Sequence, residues 1–210
     1  MTMTPRLRRL VLTAHITFSV GWLGAVAGFL ALAVAGLTSR DAQTVRAVYL
    51  VMDLTAWYVI VPLCLASLLT GLVSSLSTTW GLFRHYWVLL KILITIPSSL
   101  MLLVHMQPIS YMAGVAANTP LSIVDLHGLK IQLVIESAAA VLVLVVATAL
   151  SVYKPWGMTR YGRRKQRAET GVLPDREPTT SWGPYVLLGI FGLALLFVGL
   201  HLTGHGMGGH

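Results

Sequence analysis

Long apolar runs separated by short polar stretches set the character of this chain. A helix crosses ~30 Å of hydrocarbon with about 20 residues, each adding ~1.5 Å. Five stretches reach that length: about Leu10–Leu37, Val48–Leu76, Trp87–Met106, Leu129–Tyr153 and Trp182–Leu202. They are continuous rather than alternating, which predicts helices and not barrel strands. The first exceeds a signal-peptide core and is expected to stay as an anchor, although Ala33-Val34-Ala35 carries the small residues of a cleavage site. The pattern predicts an all-α membrane protein, a bundle of five transmembrane helices forming one integral domain over residues 1–210. Within it, residues 8–150 form a four-helix core, 154–181 a basic loop, and 182–210 a fifth helix with a His/Met/Gly tail.

Local signals refine the expectation. Pro62 and Pro97 should kink their helices and free backbone carbonyls in the membrane. Gly24 and Gly28 make a GxxxG step that predicts close helix packing. The segment Gln107–Leu126, with Pro108 and Pro120, reads as a loop lying on the outer surface, and Tyr161–Ser181 reads as a flexible connection.

Composition removes the soluble alternative. Hydrophobic residues make up 56% of the 210 and charged residues 10%, with a mean hydropathy of +0.77, whereas soluble proteins carry roughly 25% charge. The net charge of +8 is local, because seven of the 15 bases lie between Lys154 and Arg176. A nucleic-acid-binding face is therefore not expected. Cys64 is the single cysteine, which excludes an intramolecular disulfide and argues against a cysteine-built metal site. Arg6, Arg8, Arg9, Arg84 and the seven bases after the fourth run share one side of a five-span bundle. The positive-inside rule then places the N-terminus in the cytoplasm and the C-terminus outside it. The expected location is a bacterial cytoplasmic membrane, with the lipid bilayer as partner and a membrane redox partner or quinone as a further one.

An ionisable group in hydrocarbon costs roughly 2.5–3.5 kcal/mol even on insertion scales, so each one asks for a reason. Sorted by depth, they fall in two layers. Near the inner boundary are His15 on the first helix and Lys91 on the third, which either snorkel or serve a site. Farther out are Asp53, His105, His127, Glu136 and His201, with Asp125 and Lys130 at the same level. Lys91, Thr95, Ser98, Leu102 and His105 recur at three- and four-residue steps and so share one face of the third helix. The outer layer reads either as a hydrogen-bonded polar seam or as a cofactor, metal or proton site.

Neutral imidazole is a good ligand for haem iron, copper and zinc. His105, His127 and His201 are expected at one depth, and His205 follows His201 by one helical turn. With Met207 and His210, they suggest a copper site or a second haem, with Asp53 or Glu136 as an orienting group or proton acceptor. The sequence has no Walker loop, GxSxG, HExxH, CxxC or CxxCH motif, so any haem would be non-covalent.

The first helix reads His15-Ile-Thr-Phe-Ser-Val-Gly-Trp22-Leu-Gly24, and the third opens His85-Tyr-Trp87-Val-Leu-Leu-Lys91. A first-helix His followed seven residues later by Trp near a Gly, with a third-helix Trp four residues before Lys, resembles one superfamily of small bacterial membrane proteins. That superfamily contains the copper-resistance protein CopD and the protoporphyrinogen oxidase HemJ. The resemblance covers roughly residues 8–150. It implies a haem b cofactor with His15 as axial ligand, Trp22 on the same face, and Lys91 as a residue needed for activity, which makes Lys91 the catalytic candidate. Three functions follow. The chain is a haem b protein for electron transfer or porphyrin-related oxidoreductase chemistry, a copper-handling protein or importer, or a cofactor-free scaffold or accessory subunit.

Overall fold

The computed structural model describes residues 3–76, 85–118, 127–153 and 159–170. These residues are 95% helical. The first helix, α1 (Pro5–Thr38), opens with Pro at a position where a missing N–H costs nothing, and stops at Ser39, whose backbone is extended. Asp41 then caps α2 (Ala42–Thr55), its carboxylate accepting from the Gln43 and Thr44 N–H groups at 3.3 and 3.0 Å. The Thr44 hydroxyl donates to the same carboxylate at 2.6 Å. These donors, the hydroxyl first, hold the Asp41 carboxyl below its ordinary value.

α2 does not stop at the membrane centre. It passes through a π-helical turn, Ala56–Ile60, into α3 (Val61–Leu76), so that Ala42–Leu76 forms one span. The cause is Pro62, whose ring cannot sit over the carbonyl four residues back in a regular helix. The wider turn relieves it, with Val61 N–H reaching Ala56 O five residues away.

α4 (Tyr86–Asn118) contains Pro97 and Pro108 and runs well past Met106. The expected outer loop is thus helical as far as Asn118. Ile109, Met112, Ala113 and Ala116 are buried at helical spacing in that stretch, and three of them join the core that holds Val45, Val48, Tyr49 and Met52 of α2. Burying that stripe outweighs the hydrogen bond that Pro108 removes. Arg46 Nε also donates to the carbonyl of Ala116 near the helix end. α5 (His127–Tyr153) begins and ends close to the expected run. Arg160–Thr170 forms a sixth, basic helix, α6, where a flexible connection was expected. Thr159 starts it, its hydroxyl accepting from Gly162 N–H at 3.0 Å. The fifth apolar run, with His201, and the tail that carries His205, Met207 and His210 lie outside the described residues.

α1 packs against α2, α3 and α5, and α4 packs against α2, α3 and α5. The four described spans therefore close into a ring in which sequence neighbours run antiparallel. One end of the bundle holds Pro5, Leu76, Tyr86 and Tyr153, and the other holds Thr38, Ala42, Asn118 and His127. Among the described residues, four helices are long and apolar enough to cross a membrane, and only 17–28% of their apolar windows is buried in the bundle. Their remaining apolar surface needs lipid, and the chain is a multi-pass membrane protein by that measure. The close approaches fall away from the GxxxG step. A Cβ at Gly24 or Gly28 would meet nothing within 4 Å, whereas one at Gly36 would lie 2.9 Å from the Tyr49 hydroxyl.

Candidate functional site

His15 is half-buried on α1, about three turns above Pro5, and leans on α3. Its Nδ1 lies 3.0 Å from the carbonyl of Ser67 and 3.3 Å from Thr70 Oγ1. A carbonyl only accepts. The Thr70 hydroxyl spends its proton on Ala66 O at 2.6 Å, so toward His15 it also accepts. Both contacts therefore require a proton on Nδ1. In neutral imidazole that leaves the lone pair on Nε2, as in metal-bound histidines whose other nitrogen donates to a carbonyl.

The seat is shaped by a glycine. A Cβ at Gly71 would lie 2.9 Å from Cε1 of His15, too close for any other residue to leave the ring in place. One turn above, Ser19 and Ser67 share a hydrogen bond of 2.8 Å. Lys91, half-buried on α4, comes within electrostatic reach of His15. Trp22 is 4% exposed, and its Nε1 has no hydrogen-bond partner, a buried donor left over on the His15 side of α1.

The second layer is organised differently. His105, 7% exposed, stands in the middle of α4, not at its end. Its Nδ1 is 2.7 Å from the carbonyl of Met101, and its Nε2 is 2.6 Å from Glu136 Oε1 on α5. Gln132, one turn before Glu136, donates from Nε2 to the same oxygen at 2.7 Å. Asp53 accepts from the Ser110 hydroxyl at 2.6 Å, and Trp57 Nε1 donates to Ser110 Oγ at 3.1 Å. Lys130 stands 5.9 Å from the centre of the Tyr49 ring. Between the layers, the Cys64 thiol donates to Ser99 at 3.2 Å, and Ser99 donates to Thr95 O.

These positions correct the expected histidine cluster. His127 opens α5 nine residues before Glu136, which puts it ~13 Å along the axis from the level of His105. His105 and His127 therefore do not share a depth, because α4 continues three turns beyond His105. Among the described residues no three His, Cys, Asp or Glu side chains are arranged to hold a metal ion. His201 and His205 lie outside those residues. Sequence reasoning missed Ser67, Thr70 and Gly71, the seat of His15, and Gln132 and Ser110, the partners of the acids. The available signal was Cys64, Ser67 and Thr70-Gly71, small or polar residues at three-residue steps within an apolar run.

No family model, no curated protein and no solved structure matches the chain.

Proposed function

We propose that this bundle binds a b-type haem near its Pro5 end, with His15 as an axial ligand, and serves electron transfer or porphyrin-related redox chemistry. The observation that carries the reading is the commitment of His15 Nδ1 to the Ser67 carbonyl, which presents Nε2 as the ligating nitrogen. The residues present fit such a group. Lys91 would offer its ammonium to a propionate, and the orphaned Trp22 Nε1–H is a donor available to an acceptor on the ligand. The seat on Gly71 fixes the ring plane. Haem would supply one-electron transfer, and its potential would follow the axial ligand and the burial of the site. The resemblance to the CopD and HemJ superfamily agrees with this assignment.

The proposed setting is a bacterial cytoplasmic membrane with the Pro5 end inside. The bases Arg6, Arg8 and Arg9 and the basic helix α6 support that orientation. A fifth span would carry the C-terminus to the opposite face, where a reporter fused after His210 should be active only outside the cytoplasm. The cofactor is tested on detergent-purified protein expressed with ample haem. The wild type should show a Soret band that His15→Ala loses or alters while still inserting in the membrane. A colourless wild type that also fails to take up added haem would overturn the assignment.

A further inference from the structure

The His105–Glu136 contact has a proton count that geometry fixes. Nδ1 of His105 faces the Met101 carbonyl at 2.7 Å, and this contact requires one proton on Nδ1. At the other nitrogen, Nε2 and Glu136 Oε1 are 2.6 Å apart. Without a proton between them, a nitrogen lone pair would face a carboxylate lone pair, with a net negative charge held among buried side chains. We infer that His105 and Glu136 form a one-proton dyad, a proton-binding site inside the bundle. Gln132 donates to the same carboxylate oxygen. Two donors on one oxygen favour the ionised carboxylate, so the shared proton rests on His105 as imidazolium.

Several titratable groups described on the neighbouring helices are engaged elsewhere. α1 carries no titratable residue from Ser19 to Thr38. α2 contributes Asp53, which is taken up by Ser110, and Arg46, which donates to Ala116 O near the bundle end. Tyr49 of α2 packs against Gly36 and beneath Lys130 of α5. α3 contributes Cys64, bonded to Ser99. The resting pair is neutral as a whole. Losing its proton leaves a net negative charge, and gaining a second leaves a net positive one, each costly in low dielectric. Either change of protonation shifts the charge inside the bundle by one. The inference does not depend on a bound haem.

The test reads protons on three atoms in wild-type protein in micelles at neutral pH. Nitrogen-15 NMR of labelled histidine reports Nδ1 and Nε2 of His105, assigned by loss of its signals in His105→Gln. Infrared difference spectra against Glu136→Gln report the carboxyl group. Two protons over the three positions, either as imidazolium with carboxylate or as imidazole with carboxylic acid, support the dyad. One proton, on Nδ1 alone with ionised Glu136, overturns it, and so do three. Glu136→Gln should return His105 to a neutral imidazole with one N–H signal lost, whereas Gln132→Leu should keep the shared proton. Should Glu136→Gln fail to fold, the wild-type nitrogen signals still separate imidazolium from imidazole, and the carboxyl band of Gln132→Leu completes the count.

Discussion

The two buried-layer histidines are the same residue type in the same kind of bundle, yet they are held in opposite ways. His15 has one ring nitrogen committed to a backbone carbonyl, and the charge within its reach is the Lys91 cation. His105 has one nitrogen on a carbonyl and the other on a carboxylate. The carboxylate at 2.6 Å requires a proton between it and the His105 ring, whereas the polar contacts described for His15 engage Nδ1. The difference teaches that the groups around its two nitrogens decide how a membrane histidine is held. Depth and sequence spacing do not.

The largest effect should come from breaking the mid-bundle pair. Glu136→Leu leaves His105 without its counter-charge, and removing one member of a buried pair costs about 3 kcal/mol. Adding His105→Leu should recover much of that loss, because both charges are then gone. Thermal unfolding of the two variants in detergent decides the point, and a double variant less stable than the single would break the comparison.

A smaller effect belongs to the other layer. Gly71→Ala drives a methyl to within 2.9 Å of His15 Cε1, and such overpacking costs about 1–3 kcal/mol. The His15 ring should leave the Ser67 carbonyl, seen as a changed tautomer in its nitrogen-15 signals, while the signals of His105 stay put. Ser19→Ala should cost about 1 kcal/mol through the lost Ser67 hydrogen bond. It should leave the His15 tautomer unchanged, because the bond that fixes it ends on a backbone carbonyl.

The smallest effect lies outside both layers. The Asp41 carboxyl is held below its ordinary value, so its capping contribution is complete above the unfolded value of about 4. It is lost as pH falls through the depressed folded value. Protection of the Gln43 and Thr44 amides should drop in that acid range, and Asp41→Asn should remove the dependence.

Much of the scaffold was legible in the sequence, because a run of twenty apolar residues has few physical alternatives in lipid. The first, second and fourth runs are helices close to where hydropathy put them. The third was cut short at Met106, since Gln107 and Pro108 look like an ending. What keeps the helix going is the stripe from Ile109 to Ala116, and its value depends on α2 being there to receive it. The same limit applies to the site. Depth grouped His15 with Lys91 and His105 with Glu136, but the partner of each ring nitrogen emerges only once the helices are packed. Gly71 reads as one more small residue until the imidazole is seen against it, and the GxxxG pair, the more familiar signal, faces outward.

The π-turn at Ala56–Ile60 carries one residue more than an α-helical path would need over the same rise. Along this span the buried positions Met52, Ala56, Ile60, Cys64 and Ser67 follow one another mostly at intervals of four. In a regular helix each such step overshoots a full turn by ~40°, and the wide turn absorbs the drift. The packing of this span therefore depends on the number of its residues as well as on their identity. Deleting one residue from the turn would restore an ordinary helix over the same rise, whereas deleting one from the regular helix that follows would rotate everything beyond it by ~100°. Ser67, Thr70 and Gly71 would swing away from His15 with every side chain still present. The imidazole seat is in this sense a property of counting.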